Sequence, residues 1–242
     1  MPGSNDSGPR PFPATRLSLI EALGATDPEA RRPAYDALIR VYWAPSVRYL
    51  EIVRRFSRQD AEDLTQDFFA RAFDRQTLAT FDPTLGRFRT FLRVCLDRFA
   101  ANAVKGRERL KRGGGTTSVP IDDEAVGVAA AIDPETWFRR EWIRALFEAA
   151  LERVTTDYRE RGKETELAIF LAYDIDPAEP DRRPRYQDVA ERFQVPVTQV
   201  TNYLAAARRS FRRAVWEGLR SVTATDEDLA AEARELLGIE PS

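Results

Sequence analysis

The segment Asp60–Phe73 sorts its residues into two kinds of surface only when it is wound as an α-helix. At about 100° per residue, Asp60, Asp63, Gln66 and Asp67 share one face. Leu64, Phe68, Phe69, Ala72 and Phe73 spread over the opposite arc. The helix can bury its aromatics and hold a row of carboxylates outward. Ser57 stands where an N-cap is wanted, and acids in a first turn complement the helix dipole. Taken alone, the stripe is therefore also what a plain solvated face looks like.

The rest of the chain repeats the helical period. Thr15–Leu23 opens on a capping residue, and Ala34–Phe56 carries a stripe of Tyr35, Leu38, Ile39, Tyr42, Trp43, Leu50 and Val53, with Pro45 expected to interrupt it. A turn at Asp82–Gly86 precedes Phe88–Val104. Of Phe88, Phe91 and Phe99, two are expected in the core. Pro134–Tyr158 and Thr165–Tyr173 follow, the latter ending in an Asp174–Pro184 loop. No alternating stretch predicts a strand. Gly113-Gly114-Gly115 breaks the pattern and marks the domain boundary. The expected fold is all-α, with two helical domains joined by a flexible linker.

Charge is segregated beneath a formal net charge of −2. Phe81–Arg112 holds nine basic residues against three acids, and Arg182–Arg213 eight against two. Thr223–Ser242 reverses the balance, six acids to one arginine. Two basic patches and an acidic tail result, and basic patches are the footprint of nucleic-acid binding. One cysteine, Cys95, and no histidine exclude a disulfide framework, a Cys/His zinc site within the chain and histidine acid–base chemistry. No apolar run approaches the ~18 residues of a membrane span, and Met1–Pro13 lacks the apolar core of a signal peptide. A cytoplasmic protein is expected, without catalytic group, cofactor or metal site and without contact with a membrane.

Tyr186–Arg213 has the pattern of a helix-turn-helix. Val189, Ala190 and Phe193 face inward on the first helix, Gln194-Val195-Pro196 turns, and Val200, Leu204, Ala207 and Phe211 are the core of the second. Thr198, Gln199, Thr201, Asn202 and Tyr203 then fall near its N-terminal end, where recognition helices meet base edges. Arg208, Arg209, Arg212 and Arg213 suit phosphates. An ordinary helical hairpin with an arginine-rich face fits this segment equally well.

Three motifs together carry a resemblance: Ala61-Glu62-Asp63-Leu64-Thr65-Gln66-Asp67-Phe68-Phe69, Gly86-Arg87-Phe88-Arg89-Thr90-Phe91-Leu92 and Tyr186-Gln187-Asp188-Val189-Ala190-Glu191-Arg192-Phe193. The chain resembles bacterial sigma factors of the extracytoplasmic function (ECF) group of the sigma-70 family over about Thr15–Leu219. The resemblance implies a disordered start (1–14), sigma region 2 (15–112), a linker (113–133), sigma region 4 (134–219) and an acidic extension (220–242). It implies core RNA polymerase and promoter DNA as partners, and promoter recognition, melting and transcription initiation as the function. By position, Asp60, Glu62, Asp63, Leu64, Gln66 and Asp67 would meet the polymerase. Arg87, Arg89, Phe91, Arg93, Arg98 and Lys105 would lie along the melted minus-ten strand, where cations meet phosphates and aromatics stack on bases. Thr198, Gln199, Thr201, Asn202, Tyr203, Arg208 and Arg209 would serve the minus-thirty-five element.

Some residues depart from the family's pattern. Gln194 stands where relatives often place glycine, and Thr201, Tyr203 and Ala206 where basic residues are common. An anti-sigma factor, or a kinase acting at Thr65, are candidate partners. Two other classes stay open: a helix-turn-helix regulator acting without polymerase, and a metal-dependent enzyme using Asp60, Asp63 and Asp67. The tail Thr225–Leu237 reads as a capped helix too short to stand alone. It is expected to pack on the basic face Arg208–Arg213 and moderate DNA binding, with a solubilising acidic tail as the alternative.

Overall fold

The computed structural model describes residues 19–113, 133–176, 184–223 and 225–237, with the backbone alone for 107–113. The expected disordered start, the Thr15 cap and most of the linker and of the Asp174–Pro184 loop lie outside the described residues. Among the described residues the secondary structure is helical, with no strand: α1 (Leu19–Leu23), α2 (Pro28–Ile52), α3 (Arg58–Asp74), α4 (Phe88–Gly113), α5 (Pro134–Glu160), α6 (Glu164–Phe170), α7 (Tyr186–Phe193), α8 (Val197–Val222) and α9 (Asp226–Leu237). No described helix is long and apolar enough to cross a membrane.

Helix α2 is the spine. It starts earlier than the stripe of large residues suggests, because Asp27 caps it by accepting the Glu29 amide at 3.0 Å and Pro28 fits the first turn. Pro45 does not interrupt it. The helix runs through the missing backbone donor because Val41, Tyr42, Val47, Tyr49 and Leu50 are buried on both sides of the proline. Packing thus overrides a local defect worth about 3 kcal/mol.

On one side α2 carries α3: the Tyr35 hydroxyl donates to the Ala72 carbonyl at 2.7 Å, and Trp43 stacks on Phe69. On another it meets α5. Tyr42 stacks with Phe138 and Trp142, Tyr49 meets Phe138 edge-on at 5.5 Å, and Arg48 pairs with Glu141 at 2.8 Å. The helices before and after the glycine-rich segment therefore share one hydrophobic core.

The helix-turn-helix pair α7–α8 closes through Gln194, which takes the left-handed conformation (φ 55°). Val189, Ala190, Val200, Leu204 and Ala207 are buried between the helices and their support, and Phe211 meets Phe147 and Phe170. A π-helical turn, Leu171–Ile175, extends α6. It brings Tyr173 against Tyr186 at 5.2 Å and Asp174 to Arg208. Helix α8 then runs to Val222, more than two turns past Arg213. Thr225 caps α9 by accepting the Asp228 amide at 3.1 Å.

Candidate nucleic-acid interface

The acid row of α3 is held as its sequence dictates. Ser57 accepts the Asp60 amide at 3.1 Å and its hydroxyl donates to the Asp60 carboxylate at 2.7 Å. Glu62, Asp63, Gln66 and Asp67 are exposed. Glu62 is met by Arg58 at 2.6 Å, and Asp67 by Arg71 only at 4.0 Å, a pair worth little in water. Leu64 does not join this face. It is buried with Ala61, Phe68 and Phe69, because it falls on the inner arc of the same helix. Thr65 is also fully buried, so no kinase reaches its hydroxyl in this fold.

Beside the acids lies a cleft of about 410 Å3 that the sequence did not announce. Tyr35, Ile39 and Trp43 of α2 form one wall, and Phe69 and Phe73 of α3 the other, with Gln66 at the rim. These residues sit at the edges of the two apolar arcs, where helical spacing alone does not separate core from groove.

The basic surface on and before α4 is differently disposed. Phe88 is buried, while Phe91 and Phe99 are half-buried, Phe91 against Phe81 at 5.3 Å and Phe99 against Phe68 at 5.8 Å. Arg98 and Lys105 are exposed. The other arginines face carboxylates. Arg93 donates to Glu135 at 2.9 Å and to Asp97 at 2.8 Å, and Asp97 also takes Arg54 and the Tyr49 hydroxyl. Glu135, in the first turn of α5, takes the Thr90 hydroxyl as well, at 2.7 Å.

Arg87 and Arg89 meet the tail. Arg87 donates to Glu235 and lies 3.3 Å from Glu232, Arg89 pairs with Glu232, and Arg139 of α5 reaches Glu235 at 2.5 Å. The guanidinium of Arg89 is buried, 5.6 Å from the Trp142 ring. Burial, and then the charge of Arg87, push Arg89 below the ordinary guanidinium range. The hydrogen bond from Arg87 holds Glu235 below the ordinary carboxyl range. The acidic tail is therefore not packed through its acids on Arg208–Arg213. The reason is the length of α8, which carries the chain past those arginines before α9 begins.

At the other end, Thr198, Gln199, Thr201 and Asn202 are exposed on the first turns of α8. Tyr203 is half-buried, its hydroxyl donating to Gln199 at 3.2 Å. Arg208 is not free for a phosphate. It makes two hydrogen bonds to Asp174, at 2.7 and 2.9 Å, which raise its pKa further. Arg209 remains exposed. Sequence spacing could not single out Arg208, since its partner sits on a π-helical turn.

The described residues thus form a helical protein with an exposed acid row on α3 and arginine-rich surfaces at α4 and α8. Residues 46–110, from α2 into α4, match the family model Sigma-70 region 2. The match covers about a quarter of the chain, and it supports a sigma factor of the sigma-70 family with a part in promoter recognition and melting. No curated protein and no solved structure matches the chain. Among the described residues no group of histidine, cysteine, aspartate and glutamate is arranged to hold a metal ion.

Proposed function

We propose that the chain is an ECF-type sigma factor of the cytoplasm that docks on core RNA polymerase through α3 and reads the minus-thirty-five element through α8. The observation that carries the docking assignment is the exposed row of Glu62, Asp63, Gln66 and Asp67 beside the apolar cleft of Tyr35, Ile39, Trp43, Phe69 and Phe73. An acid edge along an apolar groove is complementary to a basic amphipathic helix. Arg98, Lys105 and Phe91 would follow the melted minus-ten strand, joined by Arg87, Arg89 and Arg93 once their carboxylates are exchanged for phosphates. Thr198, Gln199, Thr201 and Asn202 would meet base edges, with Arg209 on the backbone. The chain from Thr15 to Arg112 would act as region 2 and that from Pro134 to Leu219 as region 4.

The test is reconstitution with sigma-free core polymerase. Asp63→Arg with Asp67→Arg should abolish co-purification with core and promoter-specific transcripts while helical circular dichroism is kept. Lost and reversed partners of desolvated charge pairs cost about 2–5 kcal/mol. Wild-type core binding by the double variant rejects the docking face. Duplex binding by the wild type, with no transcript from core, supports the regulator instead.

A further inference from the structure

We propose that α9 is a plug, held in cis, for the minus-ten strand surface: Glu232 and Glu235 occupy Arg87, Arg89 and Arg139 in place of DNA phosphates. The proposal rests on the reading of Arg87 and Arg89 as strand-binding residues.

The contact is built into the fold and is not a loose tail. Leu229 and Ala233 of α9 are buried, one and two turns along from the Thr225 cap. That anchorage places Glu232 and Glu235 on adjacent turns facing the same arginines. Glu232 is 2% exposed, and its partner Arg89 6%, so the pair is shut away from solvent that would otherwise screen it. Arg87 just before α4, Arg89 in its first turn and Arg139 of α5 converge on these two carboxylates. A carboxylate offers a guanidinium the same forked acceptor as a phosphate, so α9 imitates the ligand it excludes.

The plug is also removable. Nε of Arg89 has no hydrogen bond among the described residues and lies 3.8 Å from Glu135. A buried guanidinium with an unmet donor gains from a ligand that satisfies it. A helix of α9's length, Asp226–Leu237, has little stability once lifted off its support. Released α9 is therefore a mobile acidic segment, not a rigid obstacle.

The experiment measures binding of a labelled, mixed-sequence single-stranded DNA to the full chain without polymerase. Glu232→Gln with Glu235→Gln should bind about tenfold tighter than wild type, as expected when a competent state is raised from about a tenth of the population. Its log-affinity against log-salt slope should steepen by about 2, from three freed cations at ~0.7 each. Equal affinities and slopes in two equally folded proteins overturn the plug. In the wild type, saturating DNA should raise amide hydrogen exchange across residues 226–237. Unchanged protection there with DNA bound also overturns it, and this arm decides alone if the double variant unfolds. The two readings fail separately. Tighter DNA binding by the variant with no core-dependent transcript keeps the plug and sinks the sigma assignment, while transcripts with unchanged exchange do the reverse.

Discussion

Gln194 and Asp63 mark the two ends of what single residues reveal. Gln194 carries the left-handed turn between α7 and α8 at φ 55°, a conformation that costs an ordinary L-residue about 1–2 kcal/mol. We predict that Gln194→Gly stabilises the chain, by about 1 kcal/mol after the added chain entropy of glycine is set against the relief. A lower urea midpoint than wild type would contradict it. The sequence places Gln194 in the turn, where relatives often carry glycine, but its left-handed backbone comes from the structure. The exposure of Asp63 and the burial of Phe68 were legible, as both follow from helical angle. Leu64 and Thr65 belong with Phe68 by the same angles. Leu64 was set among the docking residues by family resemblance and Thr65 was named as a kinase site, and their burial shows that position in a motif and position on a face are separate questions.

Elements were readable where caps and periods agree, and unreadable where tertiary packing prevails. Ser57, Asp133 and Thr225 each cap the helix that follows them, and Asp27 with Pro28 was a start signal of equal quality for α2. Pro45 misled because its cost is met by core contacts the local sequence does not contain. The π-helical turn after α6 has no sequence signature at all, yet it aims Asp174 at Arg208. We predict that Asp174→Ala destabilises α7–α8 by about 1–2 kcal/mol, since two charge-assisted hydrogen bonds are lost at a partly exposed site. Asp174→Ala should also weaken duplex binding, although Asp174 is an acid; tighter duplex binding would mean that Arg208 serves phosphates directly. For α9 the sign of a pH effect is fixed. Glu235 faces Arg87, Arg89 and Arg139 beside Glu232, and its folded pKa is depressed. Its stabilisation is therefore fully present above the ordinary carboxyl range and lost only as pH falls through the depressed value. Exchange protection of α9, corrected for intrinsic rates, should stay flat between about pH 6 and 8. A fall within that window would point to a different titrating group.

At the scale of the molecule, the packing of α2 against α5 joins what the sequence divides. The stack of Tyr42 and Tyr49 on Phe138 and Trp142 spans the glycine-rich segment, and such long-range pairing leaves no trace in local composition. We predict that Trp142→Ala destabilises the core by about 3–5 kcal/mol. Protection should fall in α2 and α5 together; loss confined to α5 would mean that the halves are independent. The pairing of Arg87 and Arg89 with Glu232 was hidden for the same reason, since each partner lies in a segment whose own charge points elsewhere. That pairing has a consequence for how the protein spends its time. Every chromosome offers about 10⁶–10⁹ non-specific sites, and an uncovered row of arginines would be drained onto them in proportion to its charge. On the plug reading, Arg87, Arg89 and Arg139 are satisfied from within, so the free chain is drawn onto genomic DNA less strongly, by Arg98, Lys105 and Arg209 and not by the whole basic surface.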